Sequence, residues 1–406
     1  MTTKFPLKID WLLLIILVAL ILFGELAIYS ASIQKYGDKD VVSDYYIKQL
    51  IWIFIGAIVF VLVLYIPEIL MDILVVPFYI ITILLLVLVL FLPGISGVHR
   101  WINFGGFSLQ PSELAKLSSI LLIAKIIPRQ HLLKRKIVLY SFLVILLPVL
   151  LILKEPDLGS SLIFFAFTLP MIYFAGVSFF TLLLIISPII SIIVGFSVFW
   201  WIVFDVILLI ILLRKRFSYF FCGFIVVGNA FISLLTPYFW GFLKDYQQER
   251  ILAFINPKHD FLGSGYQIIQ SKIAIGSGGF FGKGFLNGTQ KNLDFLPEQQ
   301  TDFIFSVIGE ELGFIGCFLL IIIFILLIWR GVFILKKLRN QTKRIAIIGI
   351  LSFLIFQIVI NIGMNIGIIP VVGIPLPFIS YGGSSLIVNM AAVSLFFKYA
   401  KERSFI

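Results

Sequence analysis

The chain has 406 residues, a formal net charge of +11, 61% hydrophobic residues and only 13% charged residues. Its mean hydropathy of +1.13 excludes a water-soluble domain, which needs far more polar surface. The two cysteines, Cys222 and Cys317, both lie inside apolar runs, which argues against a disulfide framework or a cysteine-based metal site.

Long apolar runs recur from the first residues to the last. Runs of about 18 or more residues can each cross about 30 Å of hydrocarbon as a helix, and they alternate too poorly for barrel strands. We therefore predict an all-α polytopic membrane protein that forms a single integral membrane domain over residues 1–406. The first segment, MTTKFPLKIDW, has no small-residue cleavage site, so the first span is expected to remain as a signal-anchor. The predicted spans are 11–32, 48–66, 73–92, 112–127, 137–153, 158–176, 179–195, 198–213, 217–237, 302–329, 345–362 and 384–398.

The basic residues occupy short loops between these spans, in clusters at 129–136, 214–216, 330–344 and 398–403. With both termini in the cytoplasm, every cluster faces inward, as the positive-inside rule requires. The positive charge thus orients the protein and does not indicate a nucleic-acid partner. The same rule makes the stretch 177–216 a short hairpin, because a single tilted helix would place its three basic residues outside.

Four polar segments then fall on the extracytoplasmic side: 93–111, 154–160, 238–301 and 370–385. The third is long enough to count as a large extracytoplasmic loop, and loops of that length in compact proteins usually carry function. Segments that are far apart in sequence but converge on one membrane face predict a site at the outer surface.

Asp302 is the first candidate for chemistry, in the stretch LPEQQTDFIFSVIGEELG. It follows Thr301 at the expected start of a helix and borders hydrocarbon. An acid there is either a helix cap or a functional residue, and a buried carboxylate with a raised pKa can accept a proton from a hydroxyl. Glu298, on the loop side, is a weaker candidate, and Glu298 and Thr301 are both candidate substrate-binding residues. Glu310 and Glu311, further along the helix, are expected to be structural and paired.

Several basic and aromatic residues could bind a substrate at the same face. Arg100 suits a bidentate grip on a phosphate and Trp101 suits stacking on a sugar or an isoprenoid, although the two could equally be an interfacial anchor. Glu113 and Lys116, one helical turn apart, form either a self-neutralising pair or a diphosphate site. Lys272, in a Gly-rich amphipathic segment, is expected to extend toward the interface.

Glu155 and Asp157 flank Pro156 in KEPDLGS, at a span boundary. A proline there breaks the helix and exposes carbonyls, so the two acids are weak candidates for holding a divalent cation, Mg²⁺ or Mn²⁺. A solvated turn is the simpler interpretation. No cofactor is certain from these residues.

The motifs, taken together, resemble a known family. GVHRWINFGGFSLQPSELAK, KEPDLGSS, GYQIIQSKIAIGSGGFFGKG, FLPEQQTDFIFSVIGEELG and NIGMNIGIIPVVGIPLPFISYGGSSL resemble, in this order, the signature segments of the RodA/FtsW (SEDS) proteins. PVVGIPLP and QSKIAIGSGG look more like the RodA branch. The hairpin at 177–216 departs from the family's pattern of ten spans.

The resemblance implies a peptidoglycan glycosyltransferase of the bacterial cytoplasmic (inner) membrane, active in cell elongation and rod-shape maintenance. The substrate would be lipid II, joined into β-1,4 glycan strands with release of undecaprenyl diphosphate. In the family the aspartate of TDFIF is essential, which here is Asp302, the expected catalytic base. The family's RW pair corresponds to Arg100 and Trp101. Besides membrane lipids, the implied partner is a class B penicillin-binding protein, a transpeptidase.

Two other classes of protein remain open at this point. A lipid II flippase would also use intramembrane acids and broken helices, but the short basic cytoplasmic loops offer little to hold a sugar headgroup. A non-catalytic scaffold for a penicillin-binding protein would not need Asp302 at a hydrophobic border.

Overall fold

The structure is a computed structural model that describes residues 10–36, 39–93, 99–105, 107–129, 133–257, 263–292 and 298–400. Most of these residues are helical, and the described part also contains two small antiparallel strand pairs. The helices are α1 (Trp11–Ser32), α2 (Tyr45–Tyr65), α3 (Glu68–Phe91), α4 (Pro111–Arg129), α5 (Lys134–Lys154), α6 (Leu158–Phe174), α7 (Phe179–Val194), α8 (Val198–Arg214), α9 (Tyr219–Leu234), α10 (Thr236–Phe242), α11 (Asp245–Ile255), α12 (Ser264–Gly278), α13 (Thr289–Asn292), α14 (Ile304–Lys337), α15 (Gln341–Asn365) and α16 (Gly383–Ala400). The strands are β1 (Ile33–Tyr36), β2 (Lys39–Val42), β3 (Ile102–Phe104) and β4 (Phe107–Leu109), paired β1–β2 and β3–β4.

Seven of the described helices are long and apolar enough to cross a membrane, and the bent pair α9–α10 would make an eighth. The outer faces are apolar because a span is solvated by hydrocarbon; Ile69 and Phe91 on α3, for example, are 78% and 82% exposed. Each predicted span coincides with a helix. The prediction of a polytopic helical membrane protein is therefore confirmed.

The basic helix ends meet on one face of the bundle. Arg330, near the end of α14, lies 2.8 Å from the Asp10 carboxylate at the start of α1. Lys343, at the start of α15, lies 2.8 Å from Glu68, the first residue of α3. These pairs join the helix ends that the positive-inside rule predicts to be cytoplasmic.

The stretch 177–216 is a helical hairpin, as the charge pattern predicts. Its arms, α7 and α8, pack on α9 beside the main bundle through a small core of Leu208, Leu212 and Cys222. Polar side chains add interhelical bonds: the Ser191 hydroxyl donates to Asn229 Oδ1 at 2.8 Å, and the Ser233 hydroxyl donates to the Ser191 carbonyl at 3.0 Å. Such bonds stabilise helix pairs that share apolar surroundings.

Two predicted spans are interrupted. The span predicted over 217–237 ends at Leu234 and continues as α10 after a bend of 50°, because Pro237 lacks the N–H that a straight helix needs. The span predicted over 302–329 starts at Ile304, runs to Lys337 and breaks at Gly313, where φ is +64°. A Cβ on Gly313 would lie 2.3 Å from the amide nitrogen of Gly282, so the close approach of that chain requires glycine.

The predicted loop 238–301 contains most of α10 and the helices α11 to α13 in its described parts, and one acid of α14 fastens it while the next acid fastens α1. Glu310 Oε1 accepts from Lys283 Nζ at 2.7 Å and from the Thr289 amide at 2.8 Å. Glu311 accepts from the Ser30 hydroxyl of α1 at 2.6 and 2.7 Å. Both acids are buried and paired, so their position near hydrocarbon is explained by the chain segments that they hold.

Candidate functional site

Asp302 lies in the turn that leads into α14, two residues before the helix begins. Its side chain is half-buried. Its backbone carbonyl accepts hydrogen bonds from two amides of α15, Asn361 Nδ2 at 3.0 Å and Asn365 Nδ2 at 2.9 Å. The two asparagines are one turn apart on one face of α15, so α15 fixes the backbone at Asp302.

A buried polar network extends from Asn365 to two further helices. Asn365 Oδ1 accepts from the Ser306 hydroxyl of α14 at 2.6 Å, and its carbonyl accepts from the Ser271 hydroxyl of α12 at 2.6 Å. The two serine oxygens are 2.5 Å apart. Because unpaired polar groups are costly in apolar surroundings, this network ties α12, α14 and α15 into one arrangement around Asp302.

The segment between α15 and α16 holds the same turn from the other side. The Ser380 hydroxyl donates to the Thr301 carbonyl at 2.5 Å, and the Tyr381 amide donates to the Gln300 carbonyl at 2.8 Å. Gly373 adopts a φ of +77° beside Asp302, and a Cβ there would lie 3.3 Å from Asp302 Oδ2. Only glycine fits this position without strain or crowding.

Charges around Asp302 come from its own turn, from α11 and from the segments that contain Arg100 and Asp157. Burial, reinforced by the Glu298 carboxylate, raises the pKa of Asp302 to about 6, while the Arg250 guanidinium acts to lower it. Asp157 and Arg100 act more weakly, in the raising and the lowering direction respectively. A carboxylate in this range is a stronger base than an ordinary aspartate and is still ionised at neutral pH.

Arg250 and Arg100 line a cavity of about 180 Å³ next to Asp302. Arg250 projects from α11; Nη1 lies 3.5 Å from the Val372 carbonyl and the guanidinium stacks 5.6 Å from the Tyr246 ring. Arg100 Nε donates to the Glu155 carbonyl at 2.9 Å. The remaining residues of the cavity wall are Pro156, Asp157, Leu158, Gly159, Leu162, Tyr246, Gln247, Ile251, Pro370, Val371 and Val372.

The carbonyl of Pro156 accepts hydrogen bonds from two residues of the cavity wall. It accepts from Arg100 Nη2 at 2.5 Å and from the Tyr246 hydroxyl at 2.5 Å. Arg100, from the segment before β3, and Tyr246, from α11, are thereby fixed on the same turn. Described residues of the segments 93–111, 154–160, 238–301 and 370–385 thus meet around one cavity, while their position on the outer membrane face stays a prediction.

Glu155 and Asp157, the candidate cation ligands, differ in their surroundings. Asp157 caps α6, accepting from the Ser160 amide at 3.0 Å and its hydroxyl at 2.9 Å. Glu155 is fully buried, and neither carboxylate oxygen has a hydrogen-bond partner in the described part of the chain. Burial and the Asp157 carboxylate raise the pKa of Glu155 to about 8, against the lowering effect of Arg100.

No group of three or more metal-binding side chains occurs within the described residues. Mg²⁺ is commonly held by one or two carboxylates together with substrate phosphates and water. The pair Glu155 and Asp157 fits only that kind of site, so a Mg²⁺ or Mn²⁺ ion here stays a prediction.

The other predicted binding residues lie in three settings. Glu113 and Lys116 form a buried ion pair, with 2.6 Å between Lys116 Nζ and Glu113 Oε1 and about 1–3% exposure of the side chains. Of the two alternatives for this pair, a self-neutralising ion pair or a diphosphate site, the geometry fits the ion pair. Lys272 is exposed on α12, and the end of its side chain lies over Gly367. Trp101 is half-buried after Arg100.

Glu298 is exposed and, with φ at +54°, shapes the turn before Asp302. Its carboxylate accepts from the Thr301 hydroxyl at 3.1 Å. Thr301 therefore uses its side chain to brace this turn, and substrate binding by Glu298 and Thr301 stays a prediction.

Sequence reasoning missed Arg250, Tyr246, Asn361 and Asn365. Arg250 and Tyr246 lie in a polar stretch of the sequence, where one more arginine or tyrosine does not stand out. The asparagines did leave a signal: two amides spaced four residues apart in the otherwise apolar run INIGMNIG indicate a buried polar partner.

Comparison with known proteins gives consistent matches over the whole bundle. A family model described as a cell cycle protein, FtsW/RodA/SpoVE, matches residues 10–204 and 200–404. The peptidoglycan glycosyltransferase MrdB of Escherichia coli K12 is 37% identical over 392 residues, covering 95% of this chain and 92% of that protein.

Two solved structures share the fold. One, from a study of how a peptidoglycan synthase complex coordinates polymerisation and crosslinking, aligns with a TM-score of 0.73 at 29% identity, covering 98% of this chain and 100% of that chain. The rod shape determining protein RodA of Thermus thermophilus aligns with a TM-score of 0.65 at 25% identity, covering 99% of each chain.

Proposed function

Because this chain belongs to the FtsW/RodA/SpoVE family, we infer that it is a peptidoglycan glycosyltransferase. It is a multi-pass protein of the bacterial inner membrane. From its RodA-like motifs we propose a role in cell elongation and rod-shape maintenance. The single observation that carries the mechanism is the half-buried Asp302, whose backbone carbonyl two asparagines hold beside a cavity that two arginines line.

We propose that the substrate is lipid II and that Asp302 is the general base. Asp302 takes the proton of the acceptor sugar's 4-hydroxyl as that oxygen attacks the anomeric carbon of the donor. The bond from that carbon to the diphosphate breaks, and undecaprenyl diphosphate leaves with the electron pair. The new bond is a β-1,4 glycosidic bond. The raised pKa of Asp302 suits it to this proton transfer near neutral pH.

The leaving diphosphate needs positive charge as the bond breaks. Arg100 and Arg250 line the cavity wall, and in this proposal they supply the positive charge to the diphosphate. Lys116 is held by Glu113, so its role in this proposal is to keep α4 in place. If Mg²⁺ or Mn²⁺ binds, Glu155 and Asp157 would hold it and it would add charge at the diphosphate. The lipid tail reaches the surrounding membrane.

A crosslinking partner follows from the same proposal. One structural relative comes from a synthase complex in which polymerisation and crosslinking are coordinated. We propose a class B penicillin-binding protein as the transpeptidase that receives the glycan strand.

The experiment that tests this function is a glycan-ladder gel. Purified wild-type protein and Asp302→Ala are each incubated with lipid II and a class B penicillin-binding protein while a transpeptidase inhibitor is present. Ladders from the wild type alone are expected. Ladders from both would assign the chemistry to the partner and make this chain a scaffold. Ladders from neither, with lipid II translocation intact in vesicles, would support a flippase.

Gly373→Ala is expected to lower polymerisation about tenfold or more without preventing folding. The substitution forces alanine into a φ of +77° and crowds Asp302 Oδ2 at 3.3 Å, and misplacing a catalytic group by a fraction of an ångström is costly. Initial rates of ladder formation measure the effect. Gly276→Ala is the control, since nothing lies within 4 Å of a Cβ there. Equal rates for both variants would show that Gly373 does not set the position of Asp302.

A further inference from the structure

A second cavity, of about 250 Å³, lies at the opposite end of the bundle from Asp302, among the basic helix ends. It is formed where α3 and α15 begin and where α4 and α16 end. Its lining residues are Glu68, Met71, Asp72, Val75, Leu121, Ala124, Lys125, Asn340, Thr342, Lys343, Ala346 and Tyr399. The proposed glycosyltransferase reaction uses none of them.

The charges of this cavity balance. Lys343 Nζ lies 2.8 Å from Glu68, and Lys125 Nζ lies 3.7 Å from Asp72. The lysine side chains are only 12% and 13% exposed, whereas the carboxylates are 55% and 42% exposed. The cavity therefore offers two cations and two anions side by side. A ligand with a single negative charge would gain the lysines and be repelled by the acids, but a zwitterion can satisfy both.

The walls of the cavity change from polar to apolar. Asn340 and Thr342 stand with the charged residues, while Met71, Val75 and Leu121 supply the apolar part. On the same turns of α3, Ile69 and Ile73 are 78% and 58% exposed on the outer face. A polar recess beside exposed aliphatic side chains at a helix end matches a phospholipid, whose headgroup is polar and whose chains are apolar.

The aromatic side chain in the cavity discriminates between headgroups. A quaternary ammonium is usually recognised on the face of an aromatic ring. Here the ring of Tyr399 is already faced by Lys343 Nζ, 5.6 Å from its centroid. Carboxylates instead favour an ammonium that carries N–H donors.

We propose that this cavity binds the headgroup of a zwitterionic phospholipid with a primary amine, of the phosphatidylethanolamine type. The phosphate lies against Lys125 and Lys343. The ammonium donates to Glu68 and Asp72. The bound lipid holds the ends of α3, α4, α15 and α16 together at the cytoplasmic interface.

The test compares three lipids on full-length protein that has been purified in detergent and stripped of lipid. Short-chain phosphatidylethanolamine, phosphatidylcholine and phosphatidylglycerol are titrated separately, and binding is followed by native mass spectrometry and thermal unfolding. Phosphatidylethanolamine is expected to bind about tenfold more tightly than either other lipid, which corresponds to one charge-assisted hydrogen bond. Stronger binding of phosphatidylglycerol would overturn the proposal in favour of a simple anion site, and equal binding of all three would mean nonspecific contact.

Variants of the cavity residues test whether the preference for phosphatidylethanolamine arises in this cavity. The double variant Glu68→Gln with Asp72→Asn is expected to lose the preference for the primary amine while still binding phosphate-containing lipids. The matched controls are Glu249→Gln and Lys336→Ala, which remove exposed charges outside the cavity. Both control variants should keep the preference for the primary amine. A preference that persists in the double variant contradicts the assignment. Should the variant fail to fold, the comparison of three lipids on the wild type still decides the question.

Discussion

Asp302→Asn is expected to lower the rate of glycan polymerisation by about 10²–10⁴-fold, the range that a general base contributes. Asparagine has nearly the same shape as aspartate, and the hydrogen bonds from Asn361 and Asn365 go to the backbone carbonyl, so the turn is retained. What disappears is the group that accepts the proton. The measurement is the initial rate of ladder formation from lipid II.

The same substitution should leave the protein at least as stable as the wild type. The pKa of Asp302 is about 6 in the folded protein and about 4 in an unfolded chain. The folded state therefore binds the proton more tightly, and stability is lost as pH rises from about 4 through 6. At pH 7–8 the ionised carboxylate carries that penalty and asparagine does not. An equal or higher unfolding temperature at pH 7.5 is the expected result.

The wild-type enzyme should lose activity on the acidic side with an apparent pKa of about 6. Below that pH, Asp302 is protonated and cannot act as a base, so the rate falls about tenfold for each further pH unit. The residual activity of Asp302→Asn should lack this limb. Glu249→Gln, on the exposed side of α11, is the control and should keep both the rate and the profile. A near-normal rate for Asp302→Asn would contradict the base assignment.

The spans could be predicted from sequence because hydrocarbon imposes a simple rule: a helix that crosses it must be apolar over its length. The hairpin 177–216 followed from three basic residues whose side of the membrane had to agree with the rest. Neither rule predicts how the helices pack inside the bundle. The bend before α10 and the break at Gly313 depend on what packs against them, as the contact of Gly313 with Gly282 shows.

The candidate site was predictable only in part, for a similar reason. Asp302 and Arg100 stand out because a charge at an apolar border needs an explanation. Lys116 stands out by the same rule, yet it is buried against Glu113, since composition cannot distinguish a charge that binds substrate from one that is neutralised inside the bundle. Arg250 lies in a stretch of sequence that is already polar, so only its place in the fold reveals that it faces the cavity beside Asp302.

Arg250→Ala is expected to lower polymerisation by about 10²-fold, because one charged donor at developing negative charge contributes on that scale. The guanidinium lines the cavity wall and is braced on the Tyr246 ring, which leaves donors for the diphosphate. Arg250→Lys keeps the charge but loses the forked geometry, so an intermediate rate is expected.

A purely structural role for Arg250 would also lower the rate, but it would not move the pH profile. Arg250 acts to lower the pKa of Asp302, so Arg250→Ala should shift the acidic limb to higher pH, whereas Arg250→Lys should shift it less. The control is Arg339→Ala, an exposed arginine at the other end of the bundle. A lowered rate with an unmoved acidic limb would mean that Arg250 does not act on Asp302 through charge, and the two residues would then have to be assigned to separate parts of the site.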